Sequence, residues 1–286
     1  SDDILVGIGD DAAVVRGSSQ QVITTDVAVE DVHFNKRWSN AFDIGRKVTA
    51  ANIADVLAMG AKPEYLVVAL SLVGDEGLDR VRELAEGIKC EADKTGARVV
   101  GGDIARAGAI SIAITAIGSV NRAITRSGAQ VGDGIYISSL TGWSAAGLEL
   151  LTREISINSA TAEKALSEFS APTLDYTIDF SGATAMADVS DSVLVQAEQI
   201  ASASDVQISI DQKAIAQASE FAELSALADE LKEDVFQWIL AGGEDHALLA
   251  TGVKLPGIRI GSVTAGSGIS GVDMKKAPVS WSHFTI

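Results

Sequence analysis

The stretch ISIAITAIGSV, residues 110–120, alternates apolar with small or polar side chains at a period of two. That is the period of a β-strand with one face turned to a core. Upstream, the run 78–95 spaces its apolar residues three and four apart, interleaves them with charges and is followed by Gly96. It predicts an amphipathic helix with a glycine stop. Strand and helix periods in such close succession restrict the fold to the α/β or α+β class, built in layers around a shared core.

The same alternation extends in both directions. Residues 22–27, 65–73 and 98–102 read as strands, and 44–59 reads as a helix carrying Val48, Ala51 and Val56 on one face, stopped by Gly60. Near Asn121 the chain becomes turn-rich. A fresh strand then opens at 134–138, followed by a small-residue helix from Ser144. The domain boundary is placed here, giving 1–123 and 124–286. In the second part, 206–210 reads as a strand, and 212–218, 224–230 and 235–240 read as helical.

With 286 residues, 47% of them hydrophobic, the chain has enough apolar surface for a large core. Its formal charge of −17 comes from 39 acidic against 22 basic residues, which argues against nucleic acid and anionic membranes as partners. One cysteine, Cys90, allows no internal disulfide and no thiolate zinc site. It falls in a helical pattern and is expected in the core. No apolar run reaches the roughly 18 residues of a membrane helix, so a protein of the reducing cytoplasm is expected.

Two glycine motifs match nucleotide-binding fingerprints in letters only. In GIGDDA (7–12) two carboxylates stand where backbone N–H groups should face a pyrophosphate. Like charges at ~4 Å repel by about 4 kcal/mol at an effective dielectric near 20. GSGISG (266–271) lies too near Pro278 and the last residues to open a βαβ unit, and reads as a turn. No Gly-Lys dipeptide is present, so a Walker A loop is excluded.

Aspartates instead recur where apolar strands are expected to end: Asp10 and Asp11, Asp26 after Thr24 and Thr25, Asp103 after Gly101 and Gly102, and Asp188 and Asp191 around Val189 and Ser190. Asn52 and Asp55, three apart, share a helix face. Hard oxygen donors without His or Cys suit Mg²⁺, Mn²⁺ or Ca²⁺ rather than zinc. For each aspartate taken singly, a cap or turn role stays open. GGEDH (242–246) fits either a helix C-cap with a polar turn or a site loop. Arg126 fits a phosphate grip or a linker anchor, and Trp281 a lid or a core residue.

In order and spacing, GIGDDAAVV (7–15), TTDVAVEDVHF (24–34), KVTAANIADVLAMGAKP (47–63), VVGGD (99–103), RSGAQVGDGIYIS (126–138), ADVSD (187–191) and GGEDHALL (242–249) resemble the thiamine-monophosphate kinases. These belong to the superfamily of aminoimidazole ribonucleotide synthetase. The resemblance implies a two-domain α/β protein: an N-terminal metal- and ATP-binding domain whose sheet forms a homodimer interface, and a C-terminal α/β domain. It implies direct in-line transfer from ATP to thiamine monophosphate, with several Mg²⁺ ions, no phosphoenzyme and no general base. Carried over by motif, Asp11, Thr24, Thr25, Asp26, Asp55, Asp103, Asp188 and Asp191 are expected metal ligands. Asp10 would act through its backbone or from behind the ligands. Gly102, Asp103, Arg126 and Ser190 would contact ATP, and His33, Glu244 and Trp281 would shape the thiamine monophosphate pocket.

The chain departs from that pattern after ADVSD. Ser192 replaces a glycine and Gln196 an aspartate. The glycine is expected to serve a close backbone approach or an unusual dihedral, and the glutamine removes a charge. A catalytically weakened nucleotide- and metal-binding homologue, or a sister enzyme with another substrate, therefore remains as the alternative reading.

Overall fold

A computed structural model describes residues 4–6, 13–16 and 20–272, which fall into two compact units, 1–123 with 170–176 and 124–169 with 177–286. In the first unit the elements run β1 (Ile4–Val6), β2 (Ala13–Arg16), β3 (Gln20–Val29), α1 (Ala41–Ala58), β4 (Lys62–Leu72), α2 (Leu78–Asp93), β5 (Arg98–Arg106) and β6 (Ser111–Val120). The sheet order is β1-β2-β3-β6-β4-β5, antiparallel except for the β4–β5 pair. The alternation seen in 110–120 becomes β6, which buries Ile112, Ile114 and Ala116 in the core beneath α1.

α1 begins at Asn40, whose side-chain oxygen accepts the Asp43 N–H at 2.8 Å, an N-cap that satisfies one orphan donor of the first turn. α1 and α2 cross at two glycines. A Cβ on Gly45 would lie 2.3 Å from the Leu84 carbonyl oxygen, and one on Gly87 would lie 2.0 Å from that of Phe42. Only glycine permits backbones to approach this closely. α2 buries Leu84, Gly87, Ile88, Glu91 and Ala92. Cys90 lies off this stripe and is exposed, contrary to the expectation that it sits in the core. The buried neighbour is Glu91, which is held by Arg46, Lys94 and Tyr176.

The second unit comprises β7 (Gly134–Ile137), α3 (Trp143–Thr152), α4 (Ala160–Ser170), β8 (Ala185–Asp188), α5 (Val193–Ser204), β9 (Gln207–Ile210), α6 (Gln212–Ile215), α7 (Phe221–Leu231), α8 (Val235–Ala241), β10 (Leu248–Gly252), β11 (Ile258–Thr264) and β12 (Gly268–Ser270). Its sheet order is β12-β9-β11-β7-β10-β8. Ile135, Ile137, Ala187, Ile208 and Leu249 supply the core from the strands, and Trp143, Ala197, Ile200 and Leu227 from the helices. GSGISG includes a short strand as well as a turn: β12 pairs in parallel with β9. No helix among the described residues is long and apolar enough to cross a membrane.

Candidate functional site

In the first unit the site is built on β3 and α1. β2 pairs with β3 only as far as Ile23, and beyond it the Asp26 backbone N–H donates to Asn52 Oδ1 at 3.2 Å. Asn52 is buried, and its Nδ2 donates to the Val48 carbonyl at 2.9 Å, which orients the amide oxygen toward the strand. One turn along α1, Asp55 Oδ2 accepts the Thr24 hydroxyl at 2.7 Å. Thr24, Asp26, Asn52 and Asp55 thus meet where β3 faces α1. Thr24 and Asp26 lie within the strand rather than at its end, because β6 pairs with all ten β3 residues.

Thr25 points to the opposite face, where its hydroxyl donates to the Ile114 carbonyl at 3.0 Å and accepts from Thr115 at 3.2 Å. Asp103 lies inside β5, also not at a strand end. It pairs with Ala69, which pairs with Ala113, which pairs with Val27, so it shares the face of Thr25. Three strand spacings, roughly 14 Å, separate it from β3. The first unit therefore brings Thr24, Asp26 and Asp55 together and keeps Asp103 apart from them. Gly102, beside it, would drive a Cβ to 2.0 Å from the Val68 carbonyl. His33, in the turn after β3, accepts the Val29 N–H on Nδ1 at 3.1 Å.

In the second unit the site is two loops laid against each other. Beyond β8 the ladder continues irregularly: Val189 N–H donates to the Ala247 carbonyl (2.7 Å), His246 N–H to that of Val189 (2.9 Å), and Glu244 N–H to that of Ser190 (2.7 Å). A Cβ on Gly243 would lie 2.6 Å from both the Ser190 and Asp191 carbonyl oxygens, so the close approach requires glycine there. Glu244 and His246 both take left-handed backbone, at φ 68° and 51°. GGEDH is therefore more than a helix C-cap; it docks onto the DVSD loop and carries Asp188, Ser190, Asp191 and Glu244 together. Arg126 is buried in the 3₁₀ turn Arg126–Gly128, where its carbonyl accepts the Ser204 hydroxyl at 2.7 Å.

Ser192 does not occupy a special dihedral. At φ 178° its backbone is extended, and its hydroxyl caps α5 by accepting the Val195 N–H at 3.1 Å. Gln196 is buried; its Nε2 donates to Ser190 Oγ at 3.4 Å and, among the described residues, its Oε1 has no hydrogen-bond partner.

Asp245 was not singled out in the sequence. Its carboxylate accepts the Gly142 N–H at 2.8 Å and the Ser144 N–H at 3.1 Å, capping α3 from about a hundred residues away. The only local signal is that α3 starts after Gly142, which has no side chain to cap it. Burial pushes the Asp245 pKa up from 3.8 to about 6, against the lowering effect of the two N–H groups. The folded state then binds this proton more tightly than the unfolded state. The resulting stability is complete below about pH 4 and is lost as pH rises through about 6. Asp245→Asn should flatten that part of the stability–pH curve in urea unfolding. Parallel curves for variant and parent would refute the assignment.

Asp10, Asp11 and Trp281 lie outside the described residues. Among the described residues no three His, Cys, Asp or Glu side chains form a metal cluster. The donors that do assemble on the first unit, Thr24, Asp26 and Asp55, are all hard oxygens. Such a set fits Mg²⁺, which takes one or two carboxylates and completes its shell with water and phosphate oxygens.

Residues 9–120 match the family AIR synthase related protein, N-terminal domain. The chain is 38% identical over 254 residues to the thiamine-monophosphate kinase of Mycobacterium tuberculosis, covering 86% of this chain and 74% of that protein. To the enzyme of the same name from Aquifex aeolicus it is 32% identical over 288 residues, covering 97% and 92%. A solved structure of AaThiL complexed with AMPPCP and TMP superposes with a TM-score of 0.88 at 31% identity, covering 97% of this chain and 92% of that one.

Proposed function

We propose, since the chain belongs to the thiamine-monophosphate kinase family, that it transfers the γ-phosphoryl group of ATP to thiamine monophosphate, giving thiamine diphosphate and ADP. The observation that carries this reading is the similarity over nearly the full chain to a fold relative complexed with both AMPPCP and TMP. Donor and acceptor are both anions, so the reaction requires alignment and charge neutralisation. The attacking phosphate oxygen is already ionised near neutral pH, and no general base is needed. Mg²⁺ held by the carboxylates named below would supply that neutralisation.

In this reading Thr24, Asp26 and Asp55 would hold Mg²⁺ on the first unit, joined by Asp11. Thr25 and Asp103 are further ligands from the opposite face. Asp188 and Asp191 are ligands from the second unit. Gly102, Asp103, Arg126 and Ser190 contact ATP, and His33, Glu244 and Trp281 shape the thiamine monophosphate pocket. A Trp face stacked on the cationic thiazolium is worth about 0.5–2 kcal/mol. The domains are 1–123 for metal, ATP and dimerisation and 124–286 for the remainder, with the segment 170–176 packed in the first unit. The homodimer contact is assigned to the sheet face away from α1, where Val27, Tyr65 and Val67 are exposed. The reaction is placed in the cytoplasm, where the exposed thiol of Cys90 stays reduced.

The test is turnover of purified protein with ATP, Mg²⁺ and thiamine monophosphate. Thiamine diphosphate should form, and none should form in chelator. Binding of both substrates without turnover would instead support the weakened homologue, which the uncompensated Gln196 Oε1 favours. In that case Ser192→Gly with Gln196→Asp should raise activity from near zero.

A further inference from the structure

His246 enters neither the metal nor the substrate set above, yet the fold constrains it more than either loop requires. Its ring is buried, and Nδ1 stands 3.3 Å from Asp188 Oδ2, also buried. Its backbone is held in the left-handed region at φ 51°, a conformation that costs free energy for any residue with a Cβ. The Val189 carbonyl fixes it there by accepting its N–H, and the Ala247 carbonyl on its far side accepts the Val189 N–H. Three constraints thus converge on one result, an imidazole nitrogen facing one particular oxygen of Asp188.

We propose that His246 is the positioning residue for Asp188, its Nδ1–H donating to Oδ2 and so fixing which carboxylate oxygen is left to a divalent cation. A carboxylate only accepts, so the shared proton resides on Nδ1 and the ring is the Nδ1–H tautomer. The inference rests on the reading of Asp188 as a cation ligand. Hydrogen bonds that orient metal ligands from behind commonly change metal affinity by about 10–100-fold when removed.

The experiment uses the full chain and reads Mg²⁺ binding by calorimetry in the presence of a non-hydrolysable ATP analogue, alongside KM for Mg·ATP and kcat. His246→Phe keeps a ring but loses the donor, and should weaken cation binding by about tenfold or more. His246→Asn places an amide N–H near the Nδ1 position and tolerates left-handed backbone, so it should recover binding to within about threefold of the parent. Equal cation affinity in the parent and His246→Phe overturns the proposal, as does equal loss in both variants, which marks a packing role.

Because His246→Phe can fail to fold, nitrogen NMR of the unmutated, histidine-labelled chain gives a second readout. A Nδ1–H tautomer for His246 supports the proposal and a Nε2–H tautomer overturns it. Asp188→Ala separates the premise from the inference: unchanged cation affinity there removes the ligand reading itself. Loss in Asp188→Ala with none in His246→Phe removes only the role given to His246.

Discussion

Asp26→Asn is expected to slow phosphoryl transfer by about 10³-fold or more, a barrier increase of about 4 kcal/mol. Unfolding free energy should change by less than about 1 kcal/mol. The separation follows from how Asp26 is placed. Its contact with Asn52 is made by the backbone N–H, which asparagine retains. The side chain is exposed on β3, so an amide of the same size disturbs no core. What the substitution removes is one negative charge beside Asp55, and with it much of the attraction for a cation that must in turn hold phosphate. Steady-state rates over a Mg²⁺ series, with unfolding followed by circular dichroism, check both halves. An Asp26→Asn enzyme with parental rates at low Mg²⁺ would remove Asp26 from the ligand set.

Elements governed by local periodicity were legible in the sequence. The alternation of 110–120 is β6, with Ile112 and Ile114 facing the core, and the 78–95 pattern is α2. Features set by distant pairing were not. Asp26 and Asp103 looked like strand-terminal residues because an acid after an apolar run resembles a stop. Both are interior, since the ladder continues through them and an exposed carboxylate costs a strand little. Nor does a sequence reveal that β6 and β4 intervene between β3 and β5, which separates two aspartates expected to converge. Helical spacing put Cys90 in the core by its apolar character, whereas the stripe selects Glu91 because distant partners satisfy its charge. Within GGEDH, the sequence assigns no individual role to Asp245 or His246 for the same reason. Their roles are defined by Gly142, Ser144 and Asp188, far away in the chain.

Glu91→Ala is expected to destabilise the protein by about 3–5 kcal/mol, the usual cost of breaking a buried ion pair from one side. Glu91 is fully buried, and its carboxylate accepts from Arg46 Nε at 2.9 Å, from Lys94 Nζ at 2.8 and 2.9 Å, and from the Tyr176 hydroxyl at 2.6 Å. Tyr176 comes from the segment 170–176, which packs with the first unit. Burial, followed by the Glu91 carboxylate, pushes its pKa up, so the phenol stays protonated and remains a donor. Alanine at 91 strands that hydroxyl, takes the counter-charge from Lys94 and leaves Arg46 only Asp43, 3.8 Å away. Arg46 and Lys94 are partly exposed and regain some hydration, which places the cost toward the lower end of the range. Tyr176→Phe should be milder, about 1–3 kcal/mol, because the carboxylate keeps both cations and loses one donor. Urea unfolding of the two variants gives the order directly. If Glu91→Ala costs no more than Tyr176→Phe, the cations contribute nothing net, and burial of Glu91 is sustained by the phenol alone.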